Sequence, residues 1–292
     1  MTDAFVVIEN GELIKASNAD AIVPWWSFGK TVIAAAALAL VQEKRLALDA
    51  PLADRRYTLR QLLQHRAGLT DYGALAAYHA AVEAGDAPWP VALLLERTDA
   101  QRLRYQPGHD WGYSNIGYLF VRELIERTCG LALGDAIAKL VLRPLRISNV
   151  RLARDPADLK DVHMGVPSYH PGWVYHGLLV GPLREAALLL DRLMRGALLG
   201  RELLAQMGEP YWLDTTRATS REERPWRAPA YGLGVMCGVA ANSRSVIGHT
   251  GGGPGSVVAV FHVRDAQPYT AAAFALGNAV AEVERQAMTG RG

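Results

Sequence analysis

The stretch PWWSFGKTVIAAAALAL, residues 24–40, sets Ser27 and Lys30 three residues apart at the mouth of an alanine-rich apolar run. A serine hydroxyl becomes a working nucleophile when a base takes its proton, and a lysine amine becomes such a base when burial lowers its pKa. Alanine favours helix and no Gly or Pro follows Gly29 in the run, so the pattern predicts a buried helix beginning near Ser27. Residues i and i+3 then share a face. The chain has five lysines against twenty-six arginines, so a lysine at the edge of a run destined for burial is not ordinary surface charge. A bare S-x-x-K has a plainer meaning as well, an N-cap serine followed by a lysine that reaches solvent from the first turn. Taken alone, that is the simpler account.

Two further clusters carry polar groups at junctions. Tyr113-Ser114-Asn115 stands just ahead of a helical pattern from Tyr118 to Cys129 that Gly130 would terminate. His249-Thr250-Gly251 lies among short apolar runs bounded by turns. Each has an ordinary reading: Tyr113 as a core-edge aromatic, Asn115 as a helix N-cap, and residues 251–255 as a hairpin turn. Their joint occurrence, one at a helix start, one in a loop and one on a strand, is what points to chemistry.

The elements that must hold these groups follow from periodicity. Residues 5–16 read as a hairpin turning at Glu9-Asn10-Gly11. After the Ser27 helix come a loop over 46–52, a short helix from Thr58 to His65, an aromatic segment from Asp71 to Trp89, and the stretch Pro90 to Arg97. Further helices are expected over Leu133 to Val141 and Leu183 to Arg195, with an unassigned Pro- and His-containing stretch between them, and Arg217 to Arg227 reads as an exposed loop. Tyr231 to Ala240, Ser245 to His249, Ser256 to Val263 and Tyr269 to Leu276 read as antiparallel strands, and a last helix spans about 278–288. Strands at both ends with helices between them imply an α+β architecture: one antiparallel sheet built from both termini, flanked by helices, with an inserted mainly helical lobe. The expected division is a sheet lobe of residues 1–55 and 230–292 that includes the nucleophile helix, and an inserted lobe of residues 56–229.

Bulk properties exclude several classes. Half of the 292 residues are hydrophobic, enough for a substantial core, and 31 basic against 29 acidic residues leave a net charge of +2. No basic run exceeds Arg55-Arg56, so neither nucleic acid nor an anionic membrane is an expected partner. Cys129 and Cys237 lie far apart and read as core residues rather than a disulfide framework or C-x-x-C site. The N-terminus shows no secretory pattern, which gives a cytoplasmic expectation, and the longest apolar run, Thr31 to Val41, is shorter than the roughly 20 residues of a membrane helix.

Ser27-Phe28-Gly29-Lys30, Tyr113-Ser114-Asn115 and His249-Thr250-Gly251 occur in the order and approximate spacing of the active site of penicillin-recognising serine enzymes. The chain resembles the superfamily of class C β-lactamases, D-alanyl-D-alanine carboxypeptidases and esterases through nearly its whole length. LLQHRAGL at 62–69, PGHDWGYSNIGY at 107–118, Arg143-Pro144-Leu145, Tyr231-Gly232-Leu233-Gly234 and Gly248 to Gly252 complete the series. The resemblance implies Ser27 as the acylated nucleophile, with Lys30 and Tyr113 accepting its proton. Tyr113 would pass a proton to the leaving group, a role that needs neighbouring cations to lower its pKa. Asn115 would orient Lys30 and bind the acyl side, while His249, Thr250 and Gly251 would position substrate. The oxyanion hole would use the backbone N–H groups of Ser27 and Gly252. The implied substrate is a small ester, amide, D-amino-acid peptide or β-lactam, with no cofactor and no metal.

The chain departs from the pattern in places. His249 stands where β-lactamases carry lysine, so a dependence of activity on His249 titration between pH 5 and 8 is expected. The short front lacks the long N-terminal helix of the superfamily, which would leave a sheet face partly bare and favour a homodimer. Ala67 replaces the serine of the S-G-L segment. Trp25 and Trp26 wall an aromatic acyl pocket or pack in the core, and Trp111 is a further pocket candidate. Competing readings fit less well. Gly112 to Ile116 lacks the final glycine of G-x-S-x-G, and His163, His170 and His176 match no common zinc spacing. A catalytically silent protein that binds acyl or peptidyl ligands is the alternative to an enzyme.

Overall fold

The structure, a computed structural model, describes residues 2–53, 55–166, 168–214 and 224–291. Its strands are β1 (Ala4–Glu9), β2 (Glu12–Ser17), β3 (Ile22–Pro24), β4 (Arg151–Ala153), β5 (Leu178–Pro182), β6 (Tyr211–Trp212), β7 (Trp226–Tyr231), β8 (Met236–Ala240), β9 (Ser245–Gly253), β10 (Ser256–Arg264) and β11 (Tyr269–Leu276). Its helices are α1 (Gly29–Gln42), α2 (Leu59–Leu63), α3 (Ala76–Glu83), α4 (Val91–Arg97), α5 (Asn115–Cys129), α6 (Leu133–Ile137), α7 (Leu183–Met194), α8 (Arg201–Met207) and α9 (Val280–Thr289).

Eight strands form one antiparallel sheet in the order β2-β1-β11-β10-β9-β8-β7-β6, so the sheet does join the two ends of the chain. It also recruits β6 and part of β7 from ahead of residue 230. Asn10 and Gly11, with φ of 52° and 82°, make the tight β1–β2 turn that Asn-Gly favours. The run from Tyr231 to Ala240 is not one strand: β7 ends at Tyr231, a turn follows, and β8 begins at Met236. Of the expected loop Arg217 to Arg227, residues 217–223 lie outside the described residues, while Trp226 and Arg227 begin β7.

Side chains on β10 and β11 alternate between two covered faces, as the period of two requires. One face joins the main core and packs on α7; the other, with Val257, Ala259, Phe261, Ala271, Ala273, Phe5 and Val7, is buried with Val283, Ala287 and Met288 of α9. Each fully buried Val or Phe there contributes about 1.5–3 kcal/mol. The bare sheet face expected from the short front is therefore absent among the described residues, because α9 and small alanines close it. Among the described strands only the edge strand β2 is exposed throughout, Leu13 and Ile14 included.

The unassigned stretch supplies β4 and β5 to a second sheet of order β3-β5-β4, in which Pro24 faces Val180. Trp25 N–H extends that pairing to Leu179 O at 2.8 Å. This sheet delivers the chain into α1, twelve of whose fourteen residues are buried, as expected of a helix apolar on all sides.

Candidate active site

Ser27 lies not in α1 but on the single 3-10 turn Trp26–Phe28 that feeds it. Trp26 has φ +40°, a left-handed backbone that costs an L-residue on the order of 1–3 kcal/mol. The surroundings hold it: Trp26 Nε1–H donates to Ser256 Oγ at 3.0 Å and its ring meets Tyr169 edge to face. Strand β9 presses against this turn, and glycine is what lets it. A Cβ at Gly251 would stand 2.6 Å from Ser27 N, and one at Gly253 would stand 2.5 Å from the Trp26 ring. Thr250 N–H points to the β8 side, at Met236 Sδ (3.5 Å). Gly252 N–H, two residues on, shares that direction away from β10, and β8 pairs no further than Gly248, so this donor clears the ladder beside Ser27.

Lys30 is completely buried. Its Nζ lies 3.1 Å from Ser27 Oγ, 2.7 Å from Asn115 Oδ1 and 3.3 Å from His176 Nε2. Burial lowers its pKa from 10.5 to about 7, opposed by the charge of Asp71. The snorkelling reading is thereby overturned. Asp71 in turn fixes Asn115: its Oδ1 accepts the Asn115 backbone N–H at 2.7 Å and the side-chain Nδ2–H at 3.0 Å, which directs Asn115 Oδ1 at Lys30. Asn115 is free for this because Ser114 is the N-cap of α5, its Oγ accepting from Gly117 N–H at 3.1 Å.

Tyr113 Oη donates to Ser27 Oγ at 3.0 Å. Its pKa is raised by burial rather than lowered by cations, so the phenol stays protonated and the expected activation by neighbouring charge does not occur. His65 packs its ring 4.2 Å from that of Tyr113 and 4.7 Å from that of Tyr231. Its Nδ1 accepts the Ser114 backbone N–H at 3.1 Å, and burial keeps its pKa well below the usual value.

The opposite wall is built on β9. His249 Nδ1–H donates to Thr250 O at 2.6 Å and its Nε2 pairs with Tyr231 Oη at 2.8 Å. Burial lowers its pKa to about 3, below the pH 5–8 window in which the sequence led us to expect titration. That expectation is corrected: His249 is a neutral hydrogen-bonding group at those pH values. Thr250 Oγ1–H donates to Glu284 Oε1 at 2.6 Å. Glu284 of α9 is fully buried and pairs with Arg224, while Trp226 Nε1–H also reaches it at 3.3 Å.

Two cavities meet at Gly252. One, of about 800 Å³, is lined by Trp26, Ser27, Asn115, Tyr169 and His176; the other, of about 860 Å³, by Trp111, Tyr113, Tyr231, His249 and Thr250. Of the pocket candidates, Trp26 and Trp111 line cavities, whereas Trp25 is fully buried, donating Nε1–H to Gly181 O at 3.3 Å, and belongs to the core. The residues that sequence reading missed are His65, Asp71, His176 and Glu284. His163 packs against Phe274, His170 lines the Ser27 cavity while accepting Gly172 N–H, and among the described residues no three His, Cys, Asp or Glu side chains converge as metal ligands.

Known proteins resemble this chain in sequence and in fold. D-aminopeptidase of Brucella ovis is 27% identical over 175 residues, covering 53% of this chain and 33% of the relative, and that of Cereibacter sphaeroides is 32% identical over 111 residues, covering 35% and 20%. The chain thus spans about a third or less of the length of these relatives. A D-stereospecific amidohydrolase from Streptomyces sp. superposes with TM-score 0.81 at 22% identity, over 99% of this chain and 94% of that one. D-amino acid amidase from Ochrobactrum anthropi, solved with D-phenylalanine, gives 0.76 at 18% identity over 99% and 90%. The fold is therefore the β-lactamase/transpeptidase-like one expected. The sequence model of the Beta-lactamase family matches residues 2–287, and the chain belongs to that family.

Proposed function

We propose that this chain is a serine hydrolase that cleaves an amide or ester bond through an acyl-Ser27 intermediate. One observation carries the reading: Ser27 Oγ stands within hydrogen-bond distance of both a buried amine whose pKa is about 7 and a protonated phenol. As Oγ attacks the substrate carbonyl, Lys30 takes the serine proton and the backbone N–H groups of Ser27 and Gly252 receive the developing oxyanion. Collapse of the tetrahedral intermediate expels the leaving amine or alcohol, which takes the Tyr113 proton, and the Lys30 ammonium restores the phenol. Water then repeats the sequence in reverse on the acyl-enzyme. Leaving groups occupy the Tyr113 and His249 cavity; acyl groups occupy the one containing Asn115. D-amino-acid amides and short D-peptides lead the substrate candidates, since the relatives are named D-aminopeptidase and D-amino acid amidase.

Incubation with a serine-directed fluorophosphonate is expected to add one label at Ser27, located by peptide mass spectrometry, and Ser27→Ala to abolish it with a loss on the order of 10⁶-fold in kcat. D-aminoacyl amides, D-alanyl peptides, p-nitrophenyl esters and a chromogenic cephalosporin tested side by side then rank the substrate classes. An unlabelled protein that still binds D-peptides would instead be a silent binder.

A further inference from the structure

We propose that His176 is a positioning residue for the Lys30 base: by accepting one N–H of the neutral amine, it leaves the amine lone pair directed at Ser27 Oγ. The proposal rests on the serine hydrolase reading above. A neutral primary amine offers two N–H groups and one lone pair, and three partners surround Lys30 Nζ. Asn115 Oδ1 accepts the first N–H; the amide cannot be turned over, because Nδ2 is committed to the Asp71 carboxylate, which only accepts. Ser27 Oγ already accepts from Tyr113 and has its own proton to give. If His176 Nε2 accepts the second N–H, the lone pair is what remains for the Ser27 proton. Without that acceptor the second N–H turns to Ser27 Oγ, and the amine donates to the nucleophile it must deprotonate.

The fold holds His176 there through the small sheet. His176 sits two residues ahead of β5, whose pairing with β3 leads directly into the Ser27 turn, and Gly177 N–H closes a turn on Val174 O at 2.7 Å. The ring is buried edge-on to Tyr118 and lines the cavity with Ser27 and Asn115. In the required tautomer the proton is on Nδ1, a buried atom with no partner among the described residues. The other groups around Lys30 are Tyr113 just ahead of α5, Asn115 and Tyr118 on α5, Asp71 and His65 after α2, and His249 on β9.

The test is the rate at which the fluorophosphonate labels Ser27 from pH 5 to 9, which needs no known substrate. His176→Leu removes the acceptor; its plateau rate is expected to fall by about 10²-fold, the scale of a misdirected general base. Its acid limb is expected to move to lower pH, since the ammonium loses a partner. His176→Gln, whose Oε1 can accept, should restore the rate to within a few-fold and return the limb toward its original position. A His176→Leu limb and rate equal to those of the unmodified protein would overturn the proposal, as would a faster plateau with the limb moved to higher pH, the signature of His176 donating into the lone pair. Should His176→Leu fail to fold, ¹⁵N shifts of His176 in the unmodified protein decide: a proton on Nδ1 supports the proposal and a proton on Nε2 sinks it. Failure to label the unmodified protein at all would sink the hydrolase reading itself, whereas a labelled protein indifferent to His176→Leu sinks only this inference.

Discussion

Two walls meet at Ser27, and the same burial makes opposite use of them. On the Lys30 side it brings an amine from 10.5 down to about 7; on the β9 side it brings the His249 imidazole from 6.5 down to about 3. The starting values decide the outcome. The amine arrives where free and protonated forms coexist near neutral pH, while the imidazole arrives where only the neutral form exists. The phenol of Tyr113 moves upward under the same desolvation and stays a donor. An amine that titrates near neutral pH is thus framed by groups that rest in one protonation state there, and the lysine-to-histidine replacement in the third motif leaves the second wall without a titrating cation at that position.

Lys30→Met breaks this contrast most severely. It should cost about 10²–10⁴-fold in kcat, and in the unmodified protein activity should rise with pH through about 7 as Lys30 loses its proton. The stability effect has the other sign. Lys30 has a folded pKa below its unfolded one, so the unfolded chain binds more protons between about 7 and 10.5, and stability rises with pH across that window. Lys30→Met should therefore raise Tm at pH 6 and raise it less at pH 10. Equal gains at the two pH values would contradict burial as the cause.

Glu284→Gln tests the second wall at an intermediate scale. Removing one partner of a fully buried pair costs about 3–5 kcal/mol, but the Arg224 side chain is 35% exposed, so urea unfolding should show a loss nearer ~2 kcal/mol. The smallest effect belongs to His249→Gln. The pH profile between 5 and 8 should keep one acid limb at its original position, with rate changes of a few-fold only. A second inflection in the unmodified protein that vanishes in His249→Gln would show that the imidazole titrates there after all.

Much of this was legible where the pattern is local. The apolar run after Gly29, the Asn10-Gly11 turn, and the strands β10 and β11 announce themselves within a few residues of sequence. The small sheet did not, because β3 and β4 have three residues each and β3 finds its partner more than 150 residues away. With that sheet went His176, visible only as one of three histidines with no metal spacing. The β7–β8 break was hidden because Tyr231 to Ala240 is apolar almost throughout, and only the glycines marked the turn. Trp25, open in the sequence between pocket wall and core, falls to the core because the strand-like extension from β3 turns it inward. Glu284 is marked in the sequence all the same: it falls in the stripe Val280, Val283, Ala287, Met288, and an acidic residue on the buried stripe of an amphipathic helix calls for a partner.

The pairing of β1 with β11, Ala4 opposite Phe274, sets an order of assembly. Contacts that span so much of the chain form late, since loop closure must precede them. During synthesis the central sheet cannot close until β11 has left the ribosome, and α9, which carries Glu284 to Thr250, emerges later still. The Ser27 turn is translated well before the strand that presses on it and the helix behind that strand. A nascent chain therefore carries Ser27 before Gly251 and Gly252 of β9 have come to lie against its turn.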